Sequence, residues 1–134
     1  MRFVFGSRVG RRLKRKWINQ KGTQPLPLVN DRQSFVELIP STARVLEIGP
    51  FAAPMLHGPN ISYVDVMSTH DLRARAIQLG LDPEKVPEIN WVSTGSDLSV
   101  VSDKFNVVVS SHAIEHQPDI IDHLQDVADL LLPG

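Results

Sequence analysis

The stretch Arg44 to Pro54, RVLEIGPFAAP, constrains the fold more than any other. Val45, Leu46 and Ile48 form a short apolar run, and Gly49 and Pro50 break it. A buried strand running straight into a tight turn is the unit of a parallel sheet, and open sheets of that kind bind ligands at the carboxyl ends of their strands. Gly49 suits the turn because it lacks a Cβ, so the backbone bends sharply and a ligand can come close. Glu47 breaks the apolar pattern. An acid at that point is either solvated at the rim or holds a cationic group, since charges are seldom buried unpaired.

The remaining pattern alternates helix and strand. Asp31 to Ile39 predicts a short helix, capped by Asp31, with Phe35, Val36 and Ile39 on one face and Pro40 as the stop. Strand one is then Arg44 to Ile48. Gly58-Pro59-Asn60 signals a turn, and strand two follows over Ile61 to Val66 with Asp65 at its end. Ser68 to Asp71 has capping-box spacing, so a helix follows through Leu72, Ala76 and Leu79 to a left-handed stop at Gly80. Strand three is expected at about Ile89 to Val92. Strand four, Phe105 to Ser110, holds Val107, Val108 and Val109 in succession, the mark of a strand covered on both faces. The last helix begins near Pro118 or Asp119. Its spacing sets Ile120, Ile121, Leu124, Val127, Ala128 and Leu131 inward, and Asp122, Gln125, Asp126 and Asp129 outward.

This alternation predicts an α/β fold, a Rossmann-like parallel sheet with flanking helices and right-handed crossovers, in strand order 3-2-1-4. A doubly covered strand four needs a neighbour on each side. The later strands of such a sheet are therefore expected beyond Gly134, with residues 29–134 forming part of a larger domain.

Charge divides the chain. Residues 1–30 carry eight basic side chains and no acid, whereas the rest carry six basic and fifteen acidic ones. Residues 1–28 read as a basic, flexible lead-in ended by Pro25 and Pro27, with contact to nucleic acid or an anionic surface as the alternative. The chain has no cysteine, which excludes disulfides, thiolate metal sites and a cysteine nucleophile. No apolar run approaches the roughly 20 residues of a membrane helix, and the N-terminus lacks the long apolar core of a secretory signal. A cytoplasmic location is expected.

The chemistry lies at the strand ends. A dinucleotide fingerprint would require glycines at 49, 51 and 54, but Phe51 and Pro54 occupy two of these positions. A ligand without a pyrophosphate fits better. Asp65, 16 residues beyond Gly49, can accept both hydroxyls of a ribose. Its bland alternative is a turn acid at the helix entrance. His112 and His116 lie four apart, but the segment leaves a strand and is not HExxH, which argues against zinc. Either can act as general base, because imidazole titrates near neutrality, or be a structural histidine bonded to a nearby loop. His57, His70 and His123 are expected at the surface or in caps, and Trp17 and Trp91 in packing.

The ordered set VLEIGPFAAP, YVDV, TGSDL and FNVVVSSHAIEHQPDIIDHLQDVADLLLPG resembles the first two-thirds of a class I S-adenosylmethionine-dependent methyltransferase, from about residue 30 onward. The combination of YVDVMSTHDLRARA with SSHAIEHQPDIIDHL is similar to a bacterial branch of that family. The resemblance implies that Glu47 and Gly49, with Pro50 and Phe51 in the same turn, lie by the methionine part of the cofactor. It implies Asp65 on the ribose and Val66 against the adenine. Ser96, Asp97 and Leu98 would contact the adenine and its amino group, and Ser110, Ser111 and His112 would lie beneath the sulfonium. His116 belongs to the Glu115-His116 pair that shapes the site floor in that family. The implied activity is methyl transfer to a small-molecule or glycan acceptor. A nicotinamide dehydrogenase fragment and a non-catalytic module working through its basic leader are the alternatives.

Overall fold

Four short strands lie side by side, all parallel, in the order β3-β2-β1-β4. The structure is a computed structural model that describes residues 28–93, 97–111 and 113–133. β1 is Val45–Ile48, β2 Ile61–Asp65, β3 Trp91–Val92 and β4 Val107–Ser110. Val45 is in register with Ile61 on one side and Val107 on the other, and Ile48 with Val64 and Ser110. The expected order and direction therefore hold. Every residue of β1 is buried, as its position between two neighbours requires.

The strands' alternation builds two apolar layers. Leu46, Ile48 and Val64 face Leu98, Val101, Phe105 and Leu130. Val45 and Val109 face Ala43 and Leu56, with Val36 and Ile39 packed against them. Trp91 meets the Phe105 ring edge-on, with centroids 6.0 Å apart, so it is a packing residue as expected.

Three strands begin later than the sequence predicts, β1 by one residue, at Val45, and β3 and β4 by two, and in the latter two an asparagine is the reason. The Asn90 side chain accepts from Tyr63 N (2.8 Å), while Ile89 N donates to the Thr69 hydroxyl (2.8 Å), so regular pairing starts only at Trp91. The Asn106 side chain likewise accepts from Arg44 N (2.9 Å) and β4 starts at Val107. After the last helix, Leu131 forms a parallel bridge with Phe105, so the β4 end of the sheet carries one further residue pair.

Helix α1 is Arg32–Val36, capped reciprocally by Asp31 and Ser34. The chain tightens before Pro40, with Leu38 N bonding Phe35 O and Ile39 N bonding Val36 O. Helix α2 is Thr69–Gln78. The Ser68 hydroxyl accepts from Asp71 N (3.2 Å), and Leu72 and Ala76 are buried. At its end Gly80 takes φ +71°, and Gly80 N to Ile77 O (3.0 Å) with Leu81 N to Ala76 O (2.9 Å) completes a Schellman stop.

Helix α3, Ile120–Leu130, corrects the expected orientation. His123 and Leu130 are buried and Val127 is half-buried, while Ile120, Ile121 and Leu124 are about half exposed. Asp126, expected outward, reaches Leu98 N at 3.4 Å. Spacing of 3.6 residues is satisfied by two adjacent stripes here, and periodicity alone does not say which one the sheet takes. His123 is thus a core residue, only 2% exposed, and its Nδ1 has no partner among the described residues. His57 and His70 are exposed, as expected. Among the described residues no helix is long and apolar enough to cross a membrane. Trp17 and the rest of residues 1–27 lie outside the described residues.

Candidate functional site

At the carboxyl end of the sheet the chain leaves β1 through a left-handed turn. Gly49 has φ +69° and Phe51 φ +43°. Glycine is favoured there by the positive φ, and a Cβ would also crowd the Ala113 methyl of the segment that follows β4, at 3.2 Å. Between this turn, the end of β2 and the face of α2 lies a hollow of about 580 Å³. Its wall is mostly aliphatic, formed by Ile48, Val64, Val66, Met67, Leu72, Leu79 and Leu98, with Asp65, Arg75, Ser93, His116 and Gln117 as the polar groups.

Asp65 is the acid of the hollow. It is 8% exposed. Its Oδ1 accepts from Val66 N (2.7 Å) and its Oδ2 from Phe51 N (3.2 Å). Burial pushes its carboxyl above the usual range, although the neighbouring backbone amides pull the other way. Among the described residues Arg75 is the one arginine or lysine lining the hollow, and its side chain makes no ion pair or hydrogen bond with them.

Glu47 behaves differently. The sequence set it beside the ligand, whereas the structure turns it into the protein. It is 1% exposed and does not line the hollow. Its Oε1 accepts from Met55 N (2.7 Å) and its Oε2 from Leu56 N (3.2 Å). Burial raises its pKa, against the pull of those two amides and of the Arg32 and His57 charges. Tyr63, in register with Glu47, donates its hydroxyl to Leu56 O (2.6 Å), and Arg32 reaches Ala53 O (3.0 Å). The whole of the loop after β1 is therefore tied down from its far end.

Of the residues named from sequence, Gly49, Phe51, Asp65, Val66, Leu98 and His116 come together around the hollow. Pro50, Asp97, Ser110 and Ser111 do not line it. Asp97 is exposed; its side chain accepts from Ser99 N (2.9 Å), and bonding to the Ser99 side chain and amide holds its carboxyl below the usual range. Ser96 and His112 lie outside the described residues. The sequence reading missed Leu72, Arg75 and Leu79 as wall residues. Their spacing of three and four along α2 was the available signal, because it puts all three on one face. Gln117 had no such signal. Its Nε2 donates to Ala113 O (3.0 Å), bracing the segment after β4.

The fold and the site define a parallel α/β protein with one aliphatic, acid-bearing hollow at the strand tips. No family model matches the chain. No curated protein matches it either. Among solved structures, the YcgJ protein from Bacillus subtilis is similar at 23% identity, with 66% of this chain covered and a TM-score of 0.43. The chain spans 39% of that protein's length.

Proposed function

We propose that the hollow binds S-adenosylmethionine and that the chain serves methyl transfer to a small-molecule or glycan acceptor, on a Rossmann-like sheet. The observation that carries the reading is Asp65. It is an acid at the tip of a parallel strand, lining a hollow whose other walls are aliphatic. A carboxylate so placed takes ribose hydroxyls, and Val66, Leu72, Leu79 and Leu98 offer the apolar surface a purine needs. The volume of about 580 Å³ falls among ligand sites, which run at roughly 300–1,000 Å³. A dinucleotide fits less well, because the turn after β1 supplies a single glycine and a bulky Phe51 where a pyrophosphate needs close backbone.

S-adenosylmethionine supplies a methyl group already activated on a cationic sulfur, so the residues' part is to bind, orient and exclude water. Asp65 fixes the sugar, and the Gly49 turn lets the ligand approach the ends of β1 and β4. His116, exposed and on the wall, is placed to take a proton from an acceptor that must lose one.

Titration calorimetry with S-adenosylmethionine tests the reading. Binding is expected, and Asp65→Ala should weaken it about tenfold or more, the loss of a charge-assisted hydrogen-bond pair. No binding, or binding indifferent to Asp65→Ala, refutes it. Enhancement of NADH fluorescence on mixing would instead favour a dehydrogenase fragment.

A further inference from the structure

We propose that Arg75 is the base-recognising residue of the hollow: its guanidinium lies flat on a purine face, and the hollow therefore prefers purine to pyrimidine nucleosides. The inference rests on the reading above, in which a ribose-bearing ligand meets Asp65.

Arg75 stands apart from the other arginines among the described residues. Arg32 donates to Ala53 O (3.0 Å), Arg44 to the Asp103 carboxylate (2.7 Å) and Arg73 to that of Glu88 (3.0 Å). The Arg75 side chain has no such partner among them. A partner is nevertheless at hand. Asp71 precedes Arg75 by one turn of α2, in the order that favours an ion pair. Asp71 instead accepts from the Ser68 hydroxyl at Oδ2 (2.7 Å), and its Oδ1 meets His70 Nδ1 at 3.3 Å. Asp71 is thus engaged at the helix entrance, and Arg75 is left on the wall of the hollow.

What Arg75 can hold follows from its neighbours. Leu72 and Leu79 line the same wall on either side of it along α2. An anion there would lie between two leucines, with a single cation to pair it and Asp65 in the same hollow to repel it. A purine meets neither cost. The guanidinium is planar and weakly hydrated, so it stacks on an aromatic face, and its stem continues the aliphatic surface of the two leucines. Val66 and Leu98, which also line the hollow, offer the base further apolar contact. With the ribose on Asp65, sugar and base are then recognised by different elements, β2 and α2. A single-ring pyrimidine covers less of the guanidinium and gains less from it.

Titration calorimetry on the full chain with adenosine and uridine tests the inference. The two share the ribose that Asp65 would hold, so a difference between them belongs to the base. Adenosine should bind more tightly than uridine. Arg75→Met keeps most of the stem without plane or charge, and Arg75→Lys keeps the charge without the plane. Each should weaken adenosine about fivefold and narrow its lead over uridine. Position 75 is exposed, so neither change disturbs the core. Adenosine binding that ignores both substitutions, yet still weakens in Asp65→Ala, overturns the stack and leaves the proposed function standing. Adenosine 2′-phosphate bound more tightly than adenosine, with Arg75→Lys keeping that preference, overturns it too, because Arg75 then serves an anion. If adenosine fails to bind, the base has no site here and the stack falls; if S-adenosylmethionine fails as well, the proposed function falls with it.

Discussion

The tips of β1 and β2 hold one acid each, on neighbouring strands, and the two have opposite fates. Both are buried, and burial pushes both carboxyls upward. Glu47 spends both oxygens on amides from eight and nine residues further on. Asp65 is served by its own successor Val66 and by Phe51, and it keeps a face to the hollow. An acid at a strand end is therefore not by that fact a ligand residue. What decides is whether a loop returns over it. The loop after β1 returns over Glu47, whereas β2 runs directly into α2 and leaves Asp65 beside an opening.

Four measurements press on this contrast. Glu47→Leu should show the largest effect, about 3 kcal/mol by urea denaturation, because it strands two buried amides at roughly 1–3 kcal/mol each. Asp65→Leu should cost clearly less, since its amides border the hollow and water can reach them; equal costs would erase the distinction. Gly49→Ala joins the two tips in one test. A positive φ and a contact at 3.2 Å should together cost about 2 kcal/mol, and thermal denaturation unchanged by the substitution would show that the turn is looser than described.

The smallest effect is in pH dependence. For a carboxyl whose pKa is higher folded than unfolded, the folded state binds the extra proton. Glu47 and Asp65 therefore contribute stability that is full below their ordinary values and is lost as pH rises through the raised ones. Glu47→Gln should flatten that decline in a series of urea midpoints across the acid range, and an unaltered slope would reassign it. The exposed Asp31, Asp71 and Asp97 have the opposite sign. Hydrogen bonds from Ser34, Ser68 and Ser99 lower them, so their contribution is present above the ordinary value and lost as pH falls through the lowered one.

Much of the frame was legible because local chemistry and global order agree. Ser68 and Gly80 bracket α2 as a cap and a left-handed stop must, and the apolar runs set strands of one direction. What was illegible depended on contacts distant in sequence. Asn90 and Asn106 delay their strands by bonding Tyr63 and Arg44, partners that no window around either residue contains. The phase of α3 is set by which stripe meets Val108 and Phe105, and the sequence presents two candidates. The hollow was half legible. Asp65 and Gly49 announced themselves by type and place, while Arg75 required knowing that α2 forms a wall. Glu47 was readable as an anomaly but not as an anchor, because Met55 and Leu56 carry no mark of the amides they donate.

The narrow contact between Gly49 and Ala113 has a consequence for how this molecule can change. A Cβ added to Gly49 would stand 3.2 Å from the Ala113 methyl, so the two banks of the cleft come close there between two small residues. Residue 113 works as a shim: a larger side chain would have to wedge the β1 turn away from β4 and widen the gap between them. Ala113 also lines the hollow, so a larger side chain there would fill part of the cleft as well as press on the turn.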